Sequence, residues 1–401
     1  MRRTHVAPLV IVMALALAAS ACSGGGPILA NPTTALPLRP PSPSPPVAVA
    51  DPVPIDLPRD DGPHDRLTEW WYYTGHLRSD GGNRYGFEYV IFRAERGAFP
   101  TSWASHLAIT DETGDRFLYG QRVEIGTNVD RSPHGADGAP TGFELAIEGL
   151  DPTVPDAPGE RAAWTMSGSD GDDLLSATLS PDEAAGAGSP GGLGLDLRLR
   201  STKPAVLHDL DGWIDFGPAG GSYYYSRTAM TAKGTLTLDG EVLDVEGTAW
   251  FDHQWGDFVS VGGGGWDWFA INLDDGTDLT LSLVRDTDGS YPLIYGTRVA
   301  SNGVVRHLDR DAFSVTVGEK WTSPVTNATY PAGWTIEIYS DHLTIELTPT
   351  VAAQELDTRS TTGVIYWEGS QVVQATRDGA PLGGEAYVEL TGYAGSGAVR
   401  P

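Results

Sequence analysis

Cysteine is almost missing from this 401-residue chain: Cys22 is the only one, so no intramolecular disulfide can form. Because it lies in the leader, a cysteine nucleophile is excluded as well. Positive charge is scarce too. Against 53 Asp and Glu stand 26 Lys and Arg, a net charge of -27 at pH 7, and no basic stripe with interleaved aromatics interrupts the acid. Such a surface repels phosphates, which excludes nucleic acid as a partner. Beyond the leader no segment is apolar enough to span a bilayer as a helix. Helical periodicity is poor almost everywhere, with one short candidate near Pro181 to Ala187. The Gly-x-Ser-x-Gly elbow is absent, which disfavours an α/β-hydrolase. His-x-His, HExxH and EF-hand spacings are absent too, so neither a metal nor a cofactor is expected, and Asp274-Asp275 reads as a turn.

What is present begins with an export signal. MRRTHVAPLVIVMALALAASAC, residues 1–22, has Arg2 and Arg3, a short apolar run and small residues ahead of Cys22. That places Cys22 where a lipoprotein signal carries its acylated cysteine, and predicts a cell-envelope protein held to the membrane by a lipid. Residues 23–58, rich in Pro, Gly and Ser, read as a tether without helix or ladder. Changing Cys22→Ser is expected to move the protein from membranes to the soluble fraction. A mature N-terminus without an acyl group by mass spectrometry would remove the anchor.

From residue 59 onward short aromatic or β-branched runs end in Asp-Gly, Gly-Gly or Asn-Gly, the mark of β-hairpins, so the fold class is all-β. Two landmarks recur in the same order. YYTGHLRSDGG from Tyr72 resembles WFAINLDDG from Trp268, and GTLTLDGEVLDVEGTAWFD from Gly234 resembles GSQVVQATRDGAPLGGEAYVE from Gly369. This predicts two tandem copies of one antiparallel barrel or sandwich, residues 59–260 and 261–397, with Trp70 to Tyr73 and Trp266 to Phe269 on equivalent strands. A small barrel of this kind either fills with side chains or encloses one apolar ligand.

Two polar clusters interrupt the aromatic strands. In Glu69-Trp70-Trp71-Tyr72-Tyr73, alternation sends Glu69, Trp71 and Tyr73 one way, and Trp70 and Tyr72 the other. In GTAWFDHQWGDF, from Gly247 to Phe258, Trp250, Asp252 and Gln254 share one face, and Phe251, His253 and Trp255 the other. Asp252 and Asp257 are near enough in sequence to orient His253, which beside a carboxylate can serve as a general acid or base. Two bland readings stand beside these: rings that only fill a barrel, and a structural histidine bonded to backbone.

TEWWYYTGHL (68–77), STKPAVLH (201–208), SYYYSRT (222–228), GTAWFDHQWG (247–256), GWDWFAINLDDG (265–276), QELDTR (354–359), YWEG (366–369) and AYVELTGYAG (386–395) together resemble the carotenoid 1,2-hydratase/AttH-like family, whose exported branch is commonly labelled predicted secreted hydrolases. The resemblance implies two tandem lipocalin-like antiparallel β-barrel domains. It also implies chemistry in which an acid protonates an isoprenoid double bond and water captures the cation. His253 and Trp255 match the family's His-x-Trp element, and Asp252 the residue before it. The departure is TLSLVR, Thr280 to Arg285, where the hydratases carry an acid and this chain has none. Donation would then fall to Asp252, Asp257 or Glu69. Relatives also include decalin-forming cyclases that act by folding a polyene.

Three readings stay open: a hydratase or hydrolase-like enzyme using Asp252, His253, Trp255 and Glu69; a lipid carrier or chaperone; and a cyclase. In each the partner is an apolar, isoprenoid- or polyketide-like small molecule held by Trp70, Trp71, Tyr73, Tyr224, Trp266 and Trp268, and an ABC-transport-associated partner is also carried as an expectation.

Overall fold

The computed structural model of the chain describes residues 50–149, 151–154, 162–258 and 264–394. The leader, Cys22, residues 23–49 of the tether and the 260/261 junction lie outside the described residues. The architecture is all-β, two nearly closed antiparallel barrels in tandem.

Both sheets are wound alike. In the first, the strands Thr68–Ser79, Arg84–Ala94, Ser102–Asp111 and Arg116–Ile125 form a meander. A second meander runs from Phe143–Ile147 to Gly221–Leu238 and Glu241–Gly256, and this last strand returns to pair with Thr68–Ser79. The second sheet repeats the plan: a meander from Gly265–Leu273 to Val305–Asp309, then another that ends in Val364–Arg377 and Ala380–Thr391, the latter closing on Gly265–Leu273. The segments Trp70 to Tyr73 and Trp266 to Phe269 therefore lie on equivalent strands. The hairpins that close the two plans turn at Asp239-Gly240 and Asp378-Gly379, where all four residues have φ between 51° and 84°. Two successive left-handed residues make the tight turn whose twist matches the strands it joins, and Asp-Gly tolerates that geometry best.

Both barrels fill with side chains. The first encloses Trp71, Tyr73, Phe87, Tyr89, Phe251 and Trp255 among others, and the second Phe269, Ile271, Trp334 and Trp367. The predicted short helix is present as Pro181–Gly186, its first turn held by a capping box between Ser180 and Glu183. Glu183 also takes a two-pronged ion pair from Arg122, at 3.0 and 2.8 Å, and both side chains are buried. The Arg122 guanidinium lies 4.5 Å from the centre of the Trp164 ring. This pair anchors the helix to the barrel.

The alternation along each strand leaves a second, outward set of residues, and across the seam between the barrels that set is buried as well. Tyr72, Val90 and Trp250 of the first barrel pack against Trp268, Ala270 and Tyr387 of the second, with Trp70, Phe92 and Trp266 partly exposed around them. Gly86 permits the approach, since a Cβ there would sit 2.7 Å from the Cβ of Ser370. The wall made by Thr68–Ser79 and Glu241–Gly256 thus has protein on both sides.

Candidate functional site

That wall divides the candidate residues into two groups. Glu69, Trp71, Tyr73, His253 and Trp255 point into the mouth of the first barrel, whereas Asp252, Tyr224 and Trp268 are buried in the seam, with Trp70 and Trp266 at its rim. Their alternation is as expected, but they do not meet in one site. Asp252 cannot orient His253 because adjacent residues of a strand face opposite ways. Asp257 bonds Arg66 at 2.8 Å instead. The carboxylate that fixes His253 is Glu69, whose Oε1 lies 2.9 Å from Nε2.

In the barrel mouth, Glu69 is fully buried and also faces His64, 2.8 Å from its Nδ1, while its second oxygen accepts the His64 backbone N–H at 2.9 Å. Burial alone would raise the Glu69 carboxyl, but the facing imidazoles hold it below its ordinary value. Burial also lowers His253, against the pull of Glu69. His64 stacks on Trp255 at 4.0 Å with the rings 2° from parallel, and His253 stacks against Trp71 at 4.7 Å. Deeper in the barrel the Tyr73 hydroxyl donates to Asp173 at 2.9 Å.

The seam holds a second set of acids, most of which sequence reasoning missed. Glu88, Glu368 and Asp252 are buried there, and Glu389 is partly exposed at its rim. Each has a phenol or an indole as donor. The Tyr366 hydroxyl donates to Glu88 at 2.9 Å and the Tyr72 hydroxyl to Glu368 at 2.7 Å. Trp266 Nε1 donates to Glu389 at 2.9 Å, while Asp252 accepts from Trp250 Nε1 at 2.6 Å and from the hydroxyls of Tyr224 and Ser226. Trp268 Nε1 completes the array by donating to the Tyr224 hydroxyl at 3.0 Å.

None of these seam bonds brings a Lys or Arg, so desolvation dominates. Burial pushes Glu88 and Glu368 well above the ordinary carboxyl range, and for Glu368 the charge of Glu88 adds to it. Burial likewise raises Glu389 to about 7 and Asp252 to about 6. Glu88 Oε2 and Glu368 Oε2 have no protein partner among the described residues. Each acid accepts a phenol on Oε1, so a neutral carboxyl would carry its proton on the free Oε2. A buried acid kept neutral at physiological pH is a ready proton donor.

A signal for these acids was available: each of F-E-Y (87–89), W-E-G (367–369) and V-E-L (388–390) places one carboxylate in an aromatic or apolar strand, the pattern that singled out Glu69. Two surface clefts of about 560 and 580 Å³, around Asp80 to Asp244 and Thr344 to Gly383, include none of these residues.

The raised acids make stability fall with rising pH. Asp173, which burial lifts to about 7 from 3.8, and Glu389 hold their protons more tightly in the fold than in the unfolded chain. Their contribution is complete below the unfolded values and is lost as pH climbs through about 7. The buried, neutral His106 and His208, lowered from 6.5 to about 3, give the opposite slope up to pH 6.5, so the melting temperature is expected to drop as pH climbs from 6.5 through about 7. Asp173→Asn should flatten that slope, and an unchanged slope in this variant would reject the assignment.

A family profile described as AttH-like matches residues 48–393. Among solved structures, an AttH-like protein of Nitrosomonas europaea is 28% identical, with 86% of this chain and 99% of that one aligned at a TM-score of 0.69. Kievitone hydratase from Nectria haematococca aligns at a TM-score of 0.58 with 15% identity, covering 84% of this chain and 93% of its own. CghA aligns at 0.51 with 13% identity, covering 92% and 98%. At such identities the last two show the fold alone. None of the curated protein sequences matches the chain.

Proposed function

The chain belongs to the AttH-like family, and from that premise we propose that it binds an apolar, isoprenoid- or polyketide-like molecule at the seam between its barrels and adds water across a double bond by acid catalysis. The observation that supports this most is the pair of buried acids with raised pKa and unpartnered oxygens, Glu88 and Glu368, set among tyrosine and tryptophan rings. A hydratase among the proteins of this fold is consistent with it.

Trp70, Phe92 and Trp266, partly exposed at the rim, give an apolar molecule its entry, and Trp268 and Tyr72 meet it deeper in the seam. The Glu368 carboxyl transfers its Oε2 proton to one alkene carbon and the other becomes a carbocation. Ring faces stabilise that cation. Water then bonds to the cationic carbon, and its surplus proton returns to the Glu368 carboxylate, so the net change is one water added. Tyr72, donating to Oε1, steadies the carboxylate that exists between the two proton transfers. Exported by its leader and tethered at Cys22, the protein would meet such molecules at a membrane surface.

The test is to incubate purified protein with terminal isoprenoids and prenylated phenols in heavy-oxygen water and to look for alcohols carrying the label. Compounds that bind at the seam but return unchanged throughout the set would replace the enzyme by the carrier reading.

A further inference from the structure

On the other side of the wall, the barrel mouth has a chemistry of its own. We propose that His64, Glu69 and His253 form a site for a divalent transition metal, with two imidazoles and one carboxylate as ligands. One donor atom from each of the three residues lies within 4.8 Å of the others. No sequence spacing announces this set, because His253 reaches Glu69 from 184 residues away.

Three features prepare the site. The ligand rings are held in place, His64 against Trp255 and His253 against Trp71. An outer layer of partners is present: His64 Nε2 faces Asp60 Oδ1 at 3.6 Å, Asp60 is itself held by Arg59 and by the Asp56 backbone N–H, and Glu69 Oε2 takes the His64 N–H. A carboxylate behind an imidazole fixes the tautomer that offers the other nitrogen to a metal. Charge is the third feature. Glu69 is fully buried, and among the described residues its side-chain partners are two imidazoles, so a divalent cation can take over the charge by which those imidazoles now hold its carboxyl low.

Geometry sets what must move. Bonds of about 2.0–2.1 Å around a tetrahedral Zn²⁺ separate its ligand atoms by about 3.3 Å. The two distances from Glu69 Oε1 to the imidazole nitrogens are 2.8 and 2.9 Å and the three donor atoms lie within 4.8 Å of one another, so entry of the ion widens the first two by a few tenths of an ångström and draws the two imidazole nitrogens towards each other. Three protein ligands leave a coordination position free, and His64, partly exposed while Glu69 and His253 are buried, is the side from which water would reach it. Among the described residues His253 Nδ1 has no protein partner, which sets the affinity below that of sites with both imidazoles braced. Two imidazoles and a carboxylate suit Zn²⁺ or Co²⁺ better than Ca²⁺ or Mg²⁺.

Untagged protein stripped with a chelator and reloaded with Zn²⁺ is expected to keep about one equivalent through desalting, measured by elemental mass spectrometry. Loading with Co²⁺ should give the visible absorption of a four- or five-coordinate centre, and Zn²⁺ should raise the melting temperature. His64→Ala removes a rim side chain, and the folded variant, checked by circular dichroism, is expected to lose all three signals. Glu69→Gln, which keeps the shape of the side chain, should weaken them. Wild-type protein that keeps less than about a tenth of an equivalent overturns the proposal, as does full retention by His64→Ala.

Discussion

Replacing Glu368 by glutamine is expected to lower water addition by about 10²- to 10⁴-fold, the usual contribution of a positioned general acid, while the protein stays folded. Glutamine has nearly the same shape, and its carbonyl oxygen can still accept the Tyr72 hydroxyl that now lies 2.7 Å from Oε1. Because burial pushes the Glu368 carboxyl well above the ordinary carboxyl range, glutamine copies its protonated form and leaves no charge unpaired in the seam. Only the acidic proton is lost. The same reasoning predicts that affinity for the proposed ligand, which would rest on apolar contact with Trp268 and the rim aromatics, changes little. The reading fails if Glu368→Gln turns over normally. If His253→Phe alone abolished turnover, the chemistry would belong to the barrel mouth.

Arg122→Met is expected to destabilise the first barrel by about 3–5 kcal/mol, because it strands the buried Glu183 carboxylate without its counter-charge. That is a large part of the 5–15 kcal/mol, in round numbers about 10, that holds a typical domain together. The side chains are 0% and 2% exposed, so water cannot replace the missing partner. Arg122 also donates to the Ala162 carbonyl at 2.7 Å and covers Trp164, contacts that methionine restores only in part. The double variant Arg122→Met/Glu183→Gln should recover much of the loss, since it leaves no buried ion. Denaturant midpoints measure both, and a single variant as stable as the wild type would show that the pair contributes little.

Much of the fold was legible because its rules are local. Asp239-Gly240 and Asp378-Gly379 mark tight hairpins through backbone geometry that few other pairs tolerate. Alternation along a strand places Glu69 with Trp71 and Tyr73, and Trp250 with Asp252, whatever lies opposite. The duplication was visible for the same reason, as matching hairpins carry matching turns.

The site was legible only in fragments. Glu69 and His253 stand out as polar residues in aromatic strands, but nearness in sequence points His253 to Asp252 or Asp257, whereas the sheet sets it against Glu69. Glu88 and Glu368 carry the same signal and went unread, because an outward-facing acid on a barrel strand is ordinarily a solvated one.

The sequence by itself determined the strands, their turns, the twofold plan and which residues share a face, for these follow from period-two geometry and turn sterics within a few residues. Only the tertiary structure decided what each face meets. Tyr72 reaches Glu368 across 296 residues and Tyr366 reaches Glu88 across 278, contacts that exist only because the second barrel covers the outer face of the first. That covering excludes water, and excluded water pushes the carboxyls of Glu88 and Glu368 well above the range they would have on a solvated face.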